Sequence, residues 1–302
     1  MRRILLHFLG IWCARCRENT LESAGKILGR LMWLALPARR RTATRAIEHH
    51  LRLPPDAASR LARDNFQHTG RSFLEIMHTR KMDHRFMRDR IRVEGKENLE
   101  RVIRLQRPVV GVSAHLGAWE LLSGLLALYF HERGAQIVVR QHKDSVLKEL
   151  MTHFRQRDNV EIVSRKLAAP KVQSNLQKRG ISAFLVDHNC GRSQAVFLPF
   201  LREYAAVNMG PALLALRSKA VVWPVFMLRE DRNFAIHCGQ PLDTQTVEGT
   251  LRERINQVAT FYTSEVEAMV RRYPEQWFWM HKRWKTRPDW EKESDTKRPG
   301  SE

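Results

Sequence analysis

The sequence predicts an α/β protein with a mixed, largely parallel sheet flanked by helices, preceded by a helical N-terminal extension. From Ile91 onward, short apolar segments rich in β-branched residues alternate with amphipathic helical patterns. The region before Ile91 is helical and highly charged, and LPPDAASRL supplies a proline–aspartate helix start. No repeat or clear linker interrupts residues 91–285, which indicates one domain there.

Predicted strands and helices alternate along the chain. Strands are predicted at RVEG, 109–114, AQIVVRQ, VEIVS, ISAFLVD, VVWPVFMLR and NFAIHCGQP. Helices are predicted over 97–106, after His115, at DSVLKELMTHFRQRD, around 170–179, at MGPALLALRSKA and over 247–272, while HNCGRSQAVFLPFLREYAAVN is predicted to be a loop. We therefore expect a helical membrane-associating region at 1–90, an α/β domain at 91–288, and a charged, disordered tail at 289–302.

The composition favours an anionic partner. Lys and Arg number 52 against 32 Asp and Glu, so the net charge is +20, which suits nucleic acid, an anionic membrane or a phosphorylated substrate. A basic nucleic-acid- or membrane-binding protein is the non-enzyme alternative. Against nucleic acid, the basic residues are spread along the chain without an RNP, helix-turn-helix or zinc pattern. Cys13 and Cys16 form a C-x-x-C without a second pair, so we interpret the cysteines as incidental thiols of a reducing compartment.

Two N-terminal segments are apolar and flanked by arginine. Residues 4–12 are too few to span a bilayer, and residues 27–37 contain Arg30 and precede a run of three arginines at 39–41. Such helices can lie in the interface of an anionic leaflet on its cytoplasmic side. The alternative is an ordinary amphipathic helix that packs on the core.

The stretch VVGVSAHLGAWELLSG places His115 at the carboxyl end of a buried strand, on the turn into a helix that contains Glu120. A carboxylate there can accept the N–H of one ring nitrogen and leave the other nitrogen free as a base. Equally, His115 can be a plain turn residue and Glu120 a residue that favours a helix N-terminus. Arg140 and Asp187 end two other predicted strands, and Arg155 lies one helix on. Together these residues would suit group transfer to or from an anionic substrate.

Four blocks carry a family resemblance: HLGAWELL, VVRQHKDSVLKELMTHFRQR, LVDHNCGRSQAVFLPFLREYAAVNMGPALLA and YPEQWFWMHKRWKTRP. In this order they resemble the late acyltransferases of lipid A biosynthesis, the lauroyl and myristoyl transferases within the lysophospholipid and glycerol-phosphate acyltransferase superfamily. The spacing H-x4-[DE] is generic, whereas P-E-Q-W-x-W-x-H-x-R-W-K is specific to this branch. The resemblance implies a glycerol-phosphate-acyltransferase-like fold.

The resemblance also implies an activity and the residues that perform it. It makes His115 the general base, oriented by Glu120, and implies roles for Arg155 and Asp187 at the site. With Arg140, which the strand pattern alone places at the same sheet edge, these two are the predicted substrate-binding residues. The donor would be an acyl thioester on acyl carrier protein and the acceptor a hydroxyl of a lipid A precursor, with no cofactor or metal. Another glycolipid or a lysophospholipid is the alternative acceptor. The implied location is the cytoplasmic face of the inner membrane.

Two positions depart from the family pattern. Ala118 stands where the family often has Asn in H-x-G-N-W-E, which removes one side-chain amide near the site but leaves His115 and Glu120 in place. The N-terminus also lacks the clean uncharged run of the family's membrane helix. Ser113 is not placed as a nucleophile, because it lacks a G-x-S-x-G elbow.

Overall fold

The computed structural model of the chain describes residues 10–11, 15–139, 144–155, 159–165, 168–231 and 233–291. Its N-terminal part is helical, as the sequence predicts, with α1 (Glu18–Ala35), α2 (Pro37–Leu51), α3 (Pro55–Glu75), a 3₁₀ turn (Ile76–Lys81) and α4 (His84–Arg90). Proline stands at the start of α2 and of α3, where its fixed φ suits a helix and its missing N–H costs nothing. The Asp83 side chain caps α4 by accepting the Phe86 backbone N–H at 2.7 Å.

Helices α1 and α3 cross at backbone contact through three glycines. A Cβ added to Gly29 would lie 2.3 Å from the Phe66 carbonyl oxygen, and one added to Gly70 would lie 2.2 Å from the Gly25 carbonyl oxygen. Any side chain at these positions would therefore separate the helices. Helix α1 packs through its small residues, and three of its large apolar side chains, Ile27, Leu31 and Leu34, face outward. Among the described residues, no helix has the length and apolar character needed to cross a bilayer.

The α/β part begins at Ile91. The strands of its main sheet are β1 (Ile91–Glu94), β2 (Val109–Ser113), β3 (Ala135–Val139), β4 (Val160–Ser164), β5 (Ile181–Leu185), β8 (Val221–Glu230), β9 (Asn233–Cys238) and β10 (Leu242–Asp243). In the described part of the chain they form one eight-stranded sheet in the order β1-β9-β8-β2-β5-β3-β4, with β10 paired to β8. Strands β2, β3, β4, β5 and β8 run parallel, whereas β9 and β10 are antiparallel to β8. The predicted mixed, largely parallel sheet is confirmed.

Helices cover both faces of this sheet and create two apolar cores. They are α5 (Lys96–Arg104), α6 (Leu122–Tyr129), α7 (Ser145–Arg155), α8 (Ala168–Gln177), α9 (Gly210–Arg217) and α10 (Leu251–Arg272). Successive residues of β2 point to opposite faces, so Val109 packs in the core that contains α6 while Val110 packs in the core that contains α8, α9 and α10. Helix α10 starts with a capping box in which Thr250 and Glu253 satisfy each other's backbone N–H groups.

The prediction of a loop after Asp187 is wrong for its second half. Residues there form a hairpin of β6 (Ala195–Phe200) and β7 (Glu203–Asn208), separate from the main sheet. Pro199 inside β6 cannot donate to a ladder, which hides the strand in the sequence, but a two-stranded sheet leaves one side of each strand unpaired and tolerates it. The predicted tail lies outside the described residues from 292 onward.

Candidate active site

His115 and Asp187 meet because their strands are neighbours. In the parallel pair β2–β5, Ser113 is aligned with Leu185, and the pairing continues as the Val186 N–H donates to the Ser113 carbonyl at 2.9 Å. Each chain then runs two residues beyond its strand, which brings both side chains to the carboxyl edge of the sheet, where open α/β sheets bind ligands.

The Asp187 carboxylate holds the histidine in two places. Its Oδ1 lies 2.9 Å from His115 Nδ1, and its Oδ2 accepts the His115 backbone N–H at 3.0 Å. The Trp277 indole N–H also donates to Oδ2, at 2.9 Å. Asp187 is 2% exposed, whereas the His115 side chain keeps 21% of its surface accessible. The carboxylate is thus fixed and buried, and the outer edge of the imidazole stays open.

Burial alone would raise the pKa of Asp187, but its surroundings reverse the direction. The charge and hydrogen bond of His115, followed by the charges of His281 and His188, hold the pKa of the Asp187 carboxyl well below its usual range. The neighbouring imidazole of His188 stays neutral, because burial and the charge of His115 lower its pKa to about 4. Asp187 is therefore ionised at neutral pH and supplies a negative charge to His115.

The backbone of the histidine turn is held by the C-terminal segment and by β8. The Phe278 N–H donates to the His115 carbonyl at 2.9 Å, and the Gly117 N–H donates to the Gln276 carbonyl at 3.0 Å. Gly117 has a φ of +60°, and a Cβ there would lie 2.2 Å from the Met227 carbonyl oxygen, so only glycine fits. These contacts hold the turn on both sides and set the direction of the imidazole.

Glu120 does not pair with His115, and this predicted contact is wrong. Its carboxylate accepts two hydrogen bonds from Arg155, Nε to Oε2 at 2.7 Å and Nη2 to Oε1 at 2.5 Å, and one from the Trp119 indole at 3.2 Å. The helical turn that follows Gly117 carries Glu120 toward α7 and away from the imidazole. Burial would lower the pKa of Arg155, but the charge and hydrogen bond of Glu120 raise it overall, so this pair is a closed ion pair.

The His115–Asp187 pair and the Glu120–Arg155 pair meet at one cavity of about 400 Å³. His115, Glu120 and Arg155 lie on its wall together with mostly apolar side chains from β2, β3, β5, β8, α6 and α9. Apolar residues of the central strands β3 and β5, such as Val139, Phe184 and Leu185, are only half-buried although helices cover the sheet. The sheet edge therefore opens into a mainly apolar space rather than onto a filled core.

A sequence model of the bacterial lipid A biosynthesis acyltransferase family matches residues 4–286. The chain belongs to this family. The lipid A biosynthesis palmitoleoyltransferase of Escherichia coli (strain K12) is 30% identical over 198 residues, which cover 65% of this chain and 62% of that protein. The lipid A biosynthesis lauroyltransferase of the same strain is 28% identical over 205 residues, with the same two coverages. The chain thus spans less than two thirds of the length of these relatives.

The three residues predicted to bind substrate differ in their position relative to the cavity. Arg140 lies outside the described residues. Asp187 does not face the cavity as a free ligand, since both of its oxygens accept hydrogen bonds from protein donors. Arg155 reaches the cavity wall with two of its nitrogens bound to Glu120, and Nη1 makes no hydrogen bond with another described residue. Substrate binding by these residues stays a prediction.

Two groups of side chains in the described part of the chain have the spacing to hold a metal ion. The donor atoms of His115, Asp187 and His188 all lie within 4.8 Å of one another, as do those of His49, His50 and Glu203. In the first group Asp187 already accepts three N–H donors, which occupy three of the about four lone-pair sites of its carboxylate. That donor set fits a hydrogen-bonded base better than a metal centre.

Sequence reasoning missed the contributors from the C-terminal block. Trp277 and His281, four residues apart in PEQWFWMHKRW, both contact Asp187, the first at its carboxylate and the second at its carbonyl oxygen, at 3.0 Å. Arg283 is 2% exposed and its Nη1 donates to the His188 and Ala206 carbonyls. In the sequence, the many aromatic and polar residues of this family-specific block indicate a functional segment. They do not indicate that the segment contacts Asp187.

Proposed function

We propose that the protein is an O-acyltransferase that moves a fatty acyl chain from an acyl thioester to a hydroxyl of a lipid A precursor. The observation that carries this proposal is an imidazole with one ring nitrogen on a buried carboxylate and its open edge on a large apolar cavity. Such a cavity suits an acyl chain, and such an imidazole suits a general base. Membership of the lipid A acyltransferase family supports the choice of acceptor.

The hydrogen bond to Asp187 assigns the roles of the two ring nitrogens. With Nδ1–H donated to Asp187, the His115 Nε2 has a free lone pair and accepts the proton of the acceptor hydroxyl. The hydroxyl oxygen forms the new C–O bond at the thioester carbonyl, and the C–S bond breaks as the intermediate collapses. The proton on Nε2 then passes to the leaving thiolate. Asp187 stabilises the imidazolium between these steps, so no enzyme nucleophile is required.

Glu120 and Arg155 serve the same reaction from the other side of the cavity. The two-point hydrogen bond from Arg155 to Glu120 fixes the plane of the guanidinium, which leaves Nη1 to point at an anionic group. That group is the oxyanion of the tetrahedral intermediate or a phosphate of the acceptor. Glu120 therefore acts through Arg155 and not through the imidazole.

Acyl carrier protein and the cytoplasmic face of the inner membrane are the proposed partners. The net charge of +20 attracts an acidic carrier and anionic lipid alike. On α1 the side chains of Ile27, Leu31 and Leu34 are 55%, 57% and 71% exposed and lie on one stripe. Arg30 is exposed next to this stripe on α1, and Arg41 and Arg45 are exposed on α2. An apolar stripe beside cations is the arrangement of an interfacial helix, so α1 is the proposed docking surface.

The reaction is tested with purified protein, acyl-acyl carrier protein and a lipid A precursor, followed by mass spectrometry of the lipid. His115→Ala should lower the rate about 10²- to 10⁴-fold, the usual contribution of a general base. His131→Ala, at an exposed histidine beyond α6, is the control and should leave the rate unchanged. Wild-type rates in His115→Ala would remove this mechanism. Transfer to a lysophospholipid or another glycolipid, but not to the lipid A precursor, would select the alternative acceptor.

Membrane docking is tested in the full-length chain with charge placed on the stripe. Leu31→Glu combined with Leu34→Glu should reduce sedimentation with vesicles that contain anionic lipid, because both side chains must leave the apolar phase. Leu251→Glu is a matched control, since Leu251 is also 54% exposed but begins α10. Equal retention of the double variant and the control would place the docking surface elsewhere.

A further inference from the structure

One part of the cavity lies between the sheet and α6. One row of residues across the sheet there includes two small residues side by side. The strand register aligns Gly111 of β2 with Trp223 of β8 on one side and with Ala183 of β5 on the other, and Ala183 with Ile137 of β3. These four side-chain positions point to the α6 face, because residues of this row belong to or pack against the α6 core. Two small residues thus form a gap between two large ones.

The gap lies between the candidate base His115 and the buried side chain of Ile181. Gly111 precedes His115 by four residues, which corresponds to about 13 Å along a strand. One step further down on the same face is Ile181, which lines the cavity and is fully buried. Trp223 forms a fixed wall, since it is fully buried and its ring lies 6.1 Å from that of Phe130. A chain that enters at His115 must pass Gly111 and Ala183 to reach Ile181.

The backbone does not require glycine at position 111. Gly111 is not among the glycines with positive φ in the described residues. A Cβ there would have Ala183 Cβ at 3.5 Å and Ile181 Cδ1 at 3.9 Å as its nearest side-chain contacts, which are ordinary van der Waals distances. Glycine inside a strand weakens the strand, so its presence in the centre of a sheet marks a place that another group approaches closely.

We propose that Gly111 and Ala183 form a gap that determines how far the acyl chain of the donor enters, and hence which chain length the enzyme transfers. The inference rests on the proposed acyl-transfer function. A chain with its carbonyl at His115 extends along β2 beneath α6, passes the gap and ends against Ile181. Side chains larger than methyl at position 111 or 183 stop it at the gap. Each methylene that fails to enter loses its burial, so donors that are too long bind and react poorly.

The test compares kcat/KM across donors from octanoyl- to hexadecanoyl-acyl carrier protein. Gly111→Val should move the preferred donor to a shorter chain and lower kcat/KM for the wild-type optimum at least about tenfold, as expected for two methylenes left unburied. Gly111→Ala should shift the profile less than Gly111→Val does. Ala169→Val is the control: Ala169 lines the cavity from α8, on the opposite side of the sheet, so the preferred length should not change.

The outcomes separate this inference from the function on which it rests. If wild-type protein transfers no chain from any donor, the acyl-transfer proposal fails. If wild-type protein is active and folded Gly111→Val keeps the wild-type optimum, the gap does not set chain length and the inference is overturned. Should Gly111→Val fail to fold, Ala183→Val narrows the same gap from the neighbouring strand and carries the same expectation. An unchanged optimum in Ala183→Val and Gly111→Ala would then overturn it.

Discussion

Two carboxylates lie near the same cavity, one behind its wall and one on it. Asp187 is buried behind an imidazole whose outer edge stays open, so the carboxylate reaches the cavity only through His115. Glu120 lies on the cavity wall but is closed by a two-point hydrogen bond from Arg155, so it reaches the cavity through a cation. One carboxylate is paired with an imidazole and the other with a guanidinium.

The difference follows from the connectivity of the chain. Asp187 is 72 residues from His115 in sequence, yet it meets the ring because β5 lies next to β2 in the sheet. Glu120 is only one helical turn beyond Gly117, but the turn at that glycine directs it to α7. A motif with short spacing therefore identifies residues that share a site without identifying which of them are paired.

The largest expected effect tests the pair of His115 and Asp187, called the open pair because the outer edge of its imidazole is accessible. Asp187→Asn should lower kcat about 10³-fold or more, because the amide removes the charge that stabilises the imidazolium and can turn its own N–H toward Nδ1. Glu120→Gln should cost less, about tenfold, because the imidazole keeps its partner. Both rates are measured with the same donor and acceptor, after thermal unfolding has shown that each variant is folded. A greater loss in Glu120→Gln than in Asp187→Asn would reverse the assigned roles.

The closed pair is tested by removing its cation. Arg155→Ala should lower kcat/KM about 10²-fold, the effect of losing one group that stabilises developing charge, and it also leaves Glu120 without its cation. Arg155→Lys should recover only part of this loss, because an ammonium cannot hold two carboxylate oxygens and still offer a donor in a fixed plane. Full recovery by Lys would show that the position supplies charge without geometry.

Acid should destabilise the folded chain through buried, neutral histidines, one of which is next to His115. Burial lowers the pKa of His188 to about 4 and that of His68 to about 3, below the ordinary value near 6.5. The unfolded chain therefore binds protons first as the pH falls below about 6.5, and the folded state loses up to about 1.4 kcal/mol per pH unit for each such histidine. The pKa of Asp187 is also lowered, but the stability that such a carboxyl contributes is lost only as the pH falls below its unfolded value of about 3.9, so Asp187 does not cause a loss between about pH 7 and about pH 5.

Urea unfolding at about pH 7 and about pH 5 measures this loss. The free energy of unfolding should be lower at the more acidic pH, and His188→Gln should reduce the difference between the two values. A difference of the same size in His188→Gln would show that this imidazole does not contribute to the acid sensitivity.

Much of this arrangement can be predicted from the sequence, and the remainder depends on contacts between distant segments. The apolar run before His115 and the run that ends at Asp187 place both residues at one sheet edge, because parallel strands present their carboxyl ends together. Their pairing depends on strand order, which no local pattern contains. The hairpin at 195–208 is hidden by Pro199, and the gap at Gly111 exists only once β2, β5 and β8 are in register.

The smallest expected effect tests how firmly the open pair is held. Trp277→Phe removes one of the three N–H donors to Asp187 and keeps an aromatic ring in the same buried place. We expect kcat to fall only severalfold, since two donors from His115 remain. With one donor fewer, the Asp187 carboxylate directs more negative charge toward the imidazole and favours its protonated, inactive form, so the acid side of the pH–rate profile should move toward higher pH. Trp279→Phe is the matched control: Trp279 is equally buried and its ring lies 4.6 Å from that of Trp277, but its indole N–H donates to the Pro274 carbonyl at 2.7 Å. A loss of packing alone would move both variants alike, whereas a shift of the profile in Trp277→Phe only would show that the indole acts on Asp187.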